Sequence, residues 1–312
     1  MRVAVLDLGS NTTKLLVAEV GKSGQIEAVI EESRACRLSG TGSEKDGICR
    51  FTDDVMNRVC LAVGELLVIA RREGAQKISI VATEAFRRAE NKDTLLSLIL
   101  KSHDVRVTIL SGEEEGNAIA AGLLSDPSLS GLDSFHAFDL GGGSMEVMGI
   151  VGKEVNAVVS LPLGAVVLTK RFLIDASSEW TAENSSEARK LVQSSLSALP
   201  VDLCTSSEAL VGAGGALVFL RKILREQGRM KDQQGSRITL SEVEEVFDQL
   251  AAKTEIERKL IFPFLPAGRA DILPAGLLVI AELIRHVGQD GIIHSYRNLR
   301  YGIAGKLISG RG

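Results

Sequence analysis

The sequence predicts an α/β protein made of two similar halves, and three features carry that prediction. An order of strand, aspartate, short turn, strand, turn and strand occurs at residues 3–30 and returns at residues 135–161, roughly 130 residues later, which marks an internal duplication. Stretches of helical period alternate with short apolar runs in both halves. Ser125-Asp126-Pro127-Ser128-Leu129-Ser130-Gly131, dense in turn residues, stands just before the second copy and marks the boundary. Two domains are therefore expected at 1–125 and 126–298, with a closing helix at about 299–312 packing back on the first. A ligand is expected in a cleft between the facing halves.

A length of 312 residues suits two domains, and 45% hydrophobic with 24% charged residues excludes a disordered chain. The net charge of −4 argues against a surface built to cover nucleic acid, so an anion site must be local. Cys36, Cys49, Cys60 and Cys204 show no C-x-x-C spacing, and Asp7 ends the first apolar run before it can resemble a signal peptide, which favours a reducing cytosol. The most apolar long stretch, 272–284, contains Pro274 and Glu282 and is too short for a bilayer core of ~30 Å. It reads as a buried helix, so neither membrane nor nucleic acid is an expected partner.

In order along the chain, residues 3–8 form an apolar strand carrying Asp7, followed by the turn Gly9-Ser10-Asn11-Thr12. Residues 14–20 and 25–30 continue as strands around Gly21-Lys22-Ser23-Gly24, a hairpin composition. The loop from Arg34 to Gly42 carries Arg34 and Arg37, which either line the cleft or lie on the surface. Apolar residues at 55, 59, 62, 63, 66, 67 and 70 predict an amphipathic helix within 52–72. A strand at 78–82 meets a helix at Thr83, whose hydroxyl is expected to cap it while Arg87 or Arg88 reaches into the cleft. Arg87 lies about one turn into that helix, with Arg88 about 100° further round its axis.

A strand at 105–110 leads to Ser111-Gly112-Glu113-Glu114-Glu115-Gly116 and a helix to about 124. Ser111 and Glu114 form a capping box that commits Glu114 to the backbone. Glu113 is explained by the helix dipole. Glu115 has Ala118, Ile119, Gly122 and Leu123 at i+3, i+4, i+7 and i+8, so it lies on the apolar, least solvated face. Poor solvation raises a carboxylate's pKa and suits a general base.

The second half opens at Phe135 and reaches Asp139-Leu140-Gly141-Gly142-Gly143-Ser144-Met145-Glu146. Three glycines without Cβ allow φ > 0 and bring several N–H groups to one anion. Alternation beyond the turn puts Glu146 on the face of Ser144. Taken alone, this motif is equally a tight hairpin with a solvated glutamate. Its likeness to Gly9-Ser10-Asn11-Thr12 beside Asp7 favours a metal–phosphate site, with Asp7 and Asp139 as hard oxygen ligands for Mg²⁺. Leu161-Pro162-Leu163-Gly164 leads into a helix, and 177–198 is a polar then helical excursion containing Trp180. Leu210 to Ala216 is a strand with a glycine turn, where Gly214 and Gly215 either offer amides to a distal phosphate or permit close packing. Ser241 and Glu244 have capping-box spacing, and Pro274 opens the apolar helix.

These residues together resemble the exopolyphosphatase / guanosine pentaphosphate phosphohydrolase family, within the actin, sugar-kinase and heat-shock ATPase superfamily. The resemblance runs nearly end to end. It rests on Asp7 to Asn11, Thr83 to Arg87, Ser111-Gly112-x-Glu114-Glu115, Asp139 to Glu146, Ser160 to Gly164, Gly212 to Gly215 and Arg269-Ala270-Asp271-Ile272-Leu273-Pro274-Ala275-Gly276. It implies two actin-like, ribonuclease H-like domains with duplicated mixed sheets around an interdomain cleft. By position, the family's catalytic glutamate falls on Glu115, its second acidic residue on Glu146, its metal-linked aspartate on Asp139 and its phosphate-contacting arginine on Arg87. Substrate phosphate is expected at Ser10, Asn11, Thr12, Arg87, Gly141, Gly142, Gly143, Ser144, Gly214 and Gly215, and Mg²⁺ or Mn²⁺ at Asp139, Glu146 and Asp7. Longer family members add C-terminal helical domains, one with a His-Asp site. His103-Asp104 is not that site, lying inside the first domain without partner histidines. Asn298 departs from the family's closing pattern, where a small residue is usual.

The expected activity is release of terminal phosphate from inorganic polyphosphate or guanosine pentaphosphate by a cytoplasmic hydrolase, with a homodimer left open. A small-molecule kinase would instead need an adenosine pocket near Gly212 to Ala216, and a nucleotide-binding scaffold would have no need of Arg87 and Glu115 together.

Overall fold

The computed structural model describes residues 1–38, 49–203, 209–230 and 236–310. Ser39 to Gly42 of the arginine-bearing loop, and Cys204, lie outside them. The chain forms two compact units, Met1–Ser125 with Arg297–Gly312, and Asp126–Tyr296.

The first unit is built on β1 (Val3–Leu8), β2 (Thr12–Val20), β3 (Ile26–Ala35), α1 (Asp53–Arg72), β4 (Lys77–Ala82), α2 (Glu84–Arg88), α3 (Lys92–His103), β5 (Thr108–Ile109) and α4 (Gly112–Leu124). Its sheet has the order β3-β2-β1-β4-β5. β1 is central, antiparallel to β2 and parallel to β4, so both its faces are covered and its sequence is a continuous apolar run broken only by Asp7. Its register puts Asp7 opposite Lys14, and Leu8 opposite Ala82. All seven apolar positions predicted for α1 are buried, and the Thr52 side chain accepts from the Val55 amide at its start. β5 is shorter than the 105–110 run suggested. Only Thr108 and Ile109 pair with β4, while Val105 and Val107 pack on the core as loop residues.

The second unit repeats the pattern. It comprises β6 (Phe135–Leu140), β7 (Met145–Val151), β8 (Glu154–Leu161), α5 (Ala165–Phe172), α6 (Ala182–Leu196), β9 (Leu210–Gly214), α7 (Gly215–Glu226), β10 (Arg237–Thr239), α8 (Leu240–Ala251), α9 (Glu255–Ile261), α10 (Ala267–Ala270), α11 (Leu273–His286) and β11 (Gly291–His294). Its sheet order is β10-β11-β9-β6-β7-β8, with β6 antiparallel to β7 and parallel to β9. Asp139 stands opposite Glu146, and Leu140 opposite Gly214, the same placement as the pairs around β1. Both units are thus α/β with mixed sheets. Gly152 and Lys153 both hold positive φ, which closes the β7–β8 hairpin with its right-handed twist.

The apolar stretch 272–284 is α11, opened by Pro274 and buried from Leu273 to Ile284. No helix among the described residues is long and apolar enough to cross a membrane. The start of α8 corrects one expectation. Thr239 and Glu242 form the capping box, and Ser241 and Glu244 do not. Glu244 faces inward and takes Arg189 at 2.8 Å and Arg285 at 2.6 Å, a partner set no local spacing announces. α3, α9, α10 and the short β10 and β11 were not anticipated either, being too short or too uneven in polarity to show a period.

The last helix, α12 (Leu299–Ser309), belongs to the first unit and lies directly on α4. A Cβ on Gly302 would overlap the Ala118 carbonyl, and one on Gly122 the Asn298 carbonyl, so the two backbones touch. Asn298, the residue unusual for the family pattern, caps α12 by accepting from the Arg300 amide at 3.2 Å.

In the second unit His294 is 1% exposed, 4.6 Å from the Tyr296 ring, and neither ring nitrogen has a hydrogen-bond partner. Burial, and then the Arg221 charge, lowers its pKa from 6.5 to about 3 against the pull of Asp126. As pH falls, the unfolded chain takes up this proton first, so stability is lost progressively below 6.5 and down to about 3. Between pH 7 and pH 5 the residue should cost about 2 kcal/mol. Denaturant melts at both pH values should show a shallower loss for His294→Leu than for wild type, and an equal slope would contradict the assignment.

Candidate active site

In the first unit the candidate residues gather at the carboxyl ends of β1 and β4 and the start of α4. The capping box there is complete: the Glu114 amide donates to Ser111 Oγ at 3.1 Å, and the Ser111 amide to Glu114 Oε2 at 2.8 Å. That hydrogen bond holds the Glu114 carboxyl below the usual glutamate range, and Glu113 and Glu114 are exposed. Glu115, one position on, is 7% exposed. Arg87 Nη1 donates to Glu115 Oε2 at 2.7 Å and to the Leu110 carbonyl at 2.8 Å. Burial and the guanidinium therefore act on Glu115 in opposite senses, the first disfavouring its charge and the second favouring it.

Arg88 turns the other way and pairs with Glu84 at 3.3 Å. Thr83 is the N-cap of α2, but its hydroxyl makes no capping bond, contrary to expectation. Its φ of −123° and ψ of −142° leave the extended geometry in which a cap reaches back. Glu84, 7% exposed and missed by the sequence argument, also accepts from Ser10 Oγ at 3.3 Å. The one proton of Ser10 is thus directed to Glu84. Asn11, 6% exposed, uses its carbonyl to accept from the Cys36 and Arg37 amides, and Thr12 begins β2. Asp7 Oδ1 is enclosed without a hydrogen-bond partner, and burial pushes its carboxyl up against the pull of Lys14 and Arg300.

In the second unit the glycine turn is tight, with the Gly141 amide on the Ser144 carbonyl at 3.0 Å. None of Gly141, Gly142 and Gly143 takes a positive φ, which corrects the reason given for them. Their use is close approach. A Cβ on Gly164 would overlap the backbone of Gly142 and Gly143, and the first amides of α5 donate into the turn: Ala165 to Gly141 O at 3.0 Å, Val166 to Gly142 O at 2.9 Å. The orphan donors of a helix start are satisfied by the turn's carbonyls. Those carbonyls point at α5, and the Gly142 and Gly143 amides make no hydrogen bond among the described residues. Ser144 is 4% exposed beside them.

Glu146 is 2% exposed, which rules out the solvated-glutamate alternative, and accepts from Ser160 Oγ at 2.8 Å. It stands directly opposite Asp139 in the β6–β7 ladder. Opposed residues have Cβ atoms about 4.5–5.5 Å apart, so the two carboxyl groups share one face of the sheet at close range. The equivalent pair in the first unit, Asp7 and Lys14, is of opposite charge. The duplicated frame has therefore kept its geometry and divided its chemistry. No three His, Cys, Asp or Glu side chains cluster as a metal cage among the described residues. Two carboxylates with substrate oxygens and water are nevertheless a usual set for Mg²⁺, which the Asp139–Glu146 pair fits.

Gly214 is the glycine whose conformation matters, at φ 110°, and a Cβ there would lie 2.9 Å from Asp139 Oδ1. Gly215 lies against the Arg269 guanidinium, 2.8 Å from where a Cβ would stand. Gly141, Gly215, Phe219 and Arg269 line a small pocket in this unit.

The Ppx/GppA phosphatase family model matches residues 16–309. Exopolyphosphatase 2 of Mycobacterium tuberculosis is 30% identical over 325 residues, covering 97% of each chain. Guanosine-5'-triphosphate,3'-diphosphate pyrophosphatase of Photobacterium profundum is 27% identical over 313 residues, covering 98% of this chain and 59% of that protein. The crystal structure of the Aquifex aeolicus member of the Ppx/GppA family superposes with a TM-score of 0.80 at 25% identity, over 100% of this chain and 99% of that one. A family model that runs from within β2 to the end of α12, and a relative matched over 97% of its length, lead to one conclusion: the chain belongs to the Ppx/GppA phosphatase family.

Proposed function

We propose that this chain hydrolyses the terminal phosphoanhydride of inorganic polyphosphate or guanosine pentaphosphate. The observation that carries the reading is a buried carboxylate, Glu115, ion-paired at 2.7 Å to an arginine on a separate element. Glu115 orients a water and takes its proton as the water oxygen attacks the terminal phosphorus. The P–O bond to the bridging oxygen breaks, and the shortened chain leaves on that oxygen. Arg87 exchanges Glu115 for a phosphate oxygen when substrate arrives, which releases the base at the moment it is needed. The Gly142 and Gly143 amides are fixed donors for phosphate oxygens. Asp139 and Glu146 would hold Mg²⁺ or Mn²⁺, which neutralises phosphate charge when bound.

The kinase alternative would need an adenosine pocket beside Gly215, where the Arg269 guanidinium lies. The deciding assay follows phosphate release from polyphosphate, without nucleotide, in Mg²⁺ and in excess chelator. Release in Mg²⁺ that stops with chelator is expected. Release only with ATP and an acceptor would favour the kinase, and full activity in chelator would remove the metal.

Arg87→Lys should raise KM for polyphosphate about tenfold, because an ammonium cannot reproduce a bidentate guanidinium contact. Arg88→Lys should leave KM unchanged, as Arg88 is held by Glu84. If Arg87 served only to pair with Glu115, Arg87→Lys would lower the melting temperature and leave KM alone.

A further inference from the structure

Three residues other than glycine hold a positive φ among the described residues: Arg37 at 48°, Asp104 at 53° and Lys153 at 65°. Two have local explanations. Asp104 closes α3, its amide on the Leu100 carbonyl, and Lys153 completes a hairpin turn with Gly152. Arg37 does neither, for it follows β3.

Its backbone is nonetheless fixed from several sides. The Arg37 amide donates to the Asn11 carbonyl at 2.9 Å, and the Cys36 amide to the same oxygen at 3.1 Å. Cys36 is fully buried and receives Thr13 Oγ1 at 3.2 Å, while Leu38, 1% exposed, is part of the core that includes Phe51 and Val55. Arg37 itself is exposed. Two buried neighbours thus hold between them a conformation that is unfavourable for arginine and costs glycine nothing. The result is a guanidinium stem rooted at a set place on the turn Gly9-Ser10-Asn11-Thr12, beside Asp7. Arg34, the other arginine of this segment, has its guanidinium on Glu65 at 2.7 Å and Glu32 at 3.1 Å.

We propose that Arg37 binds substrate, taking a phosphate of the phosphoanhydride chain other than the one at the Gly9–Thr12 turn. The inference rests on the hydrolase reading for its ligand class and on the backbone geometry for its residue. A planar, permanently charged fork set beside a turn of backbone donors matches the next phosphate of a polyanion.

Arg37→Gly tests this cleanly because it removes the guanidinium and relieves the backbone together. KM for polyphosphate should rise about tenfold, the equivalent of one lost charge-assisted contact, and the melting temperature should not fall. Arg37→Lys should recover part of the loss, and Arg34→Gln should leave KM unchanged. A wild-type KM in Arg37→Gly would overturn the proposal while leaving the hydrolase reading intact. If wild type releases no phosphate, the hydrolase reading fails instead, and calorimetric binding of inorganic tripolyphosphate decides Arg37: roughly tenfold weaker binding by Arg37→Gly supports it, and equal binding overturns it.

Discussion

Glu115→Gln should lower kcat by roughly 10² to 10⁴, the range a positioned general base supplies. The amide keeps the volume of the buried side chain but cannot accept a proton from water. Its effect on binding should be neutral or favourable, because Arg87 no longer has a carboxylate competing with the substrate's phosphate for its Nη1. A fall in kcat with KM constant or lower is therefore the expected signature. Glu114→Gln is the matched control. Glu114 is exposed and serves the capping box, a place that glutamine also fills, so turnover should survive with a slight loss of helix stability. If turnover were lost with Glu114→Gln and kept with Glu115→Gln, the assignment of the base from helix phase would fall.

Gly164→Ala should lower kcat/KM by about 10², although residue 164 is outside the turn proposed to hold phosphate. Its Cβ would overlap the backbone of Gly142 and Gly143, and backbone has no flexible end that can swing aside. Either the turn moves off α5 or α5 moves off the turn, and both break the bonds that aim the turn's carbonyls at Ala165 and Val166. The Gly142 and Gly143 amides then lose their fixed direction. Overpacking of this kind also costs about 1–3 kcal/mol of stability, so a control with a stability loss but no turn displacement is needed. Gly152→Ala supplies it: φ of 59° strains an alanine, and no atom lies within 4 Å of its Cβ. Loss of activity in Gly164→Ala alone supports the turn's role, and wild-type kcat/KM in a folded Gly164→Ala would sink it.

What the sequence by itself determined is what local spacing encodes. The repeated order of strand, aspartate, turn and strand identified the duplicated α/β architecture, and the period of α1 named its buried residues. The S-x-x-E spacing at Ser111 separated Glu114 from Glu115 correctly, because a capping box and a helix face are set within four residues of chain. The same rule failed at Ser241, where a competing Thr239–Glu242 pair two residues upstream had equal local merit and began the helix earlier.

Only the tertiary structure decided which residues meet across long separations. Arg87 and Glu115 are 28 residues apart in the chain, and neither segment specified that these two side chains would pair. The glycines of 141–143 suggested positive φ, yet they serve a close approach to Gly164 that exists only once α5 has packed on the turn. The two halves look chemically alike as motifs. The strand register then sets a lysine against Asp7 and a glutamate against Asp139, so one repeated frame carries two different cross-strand pairs. Cross-strand pairing and packing contacts depend on where distant segments dock, which no short window of sequence contains.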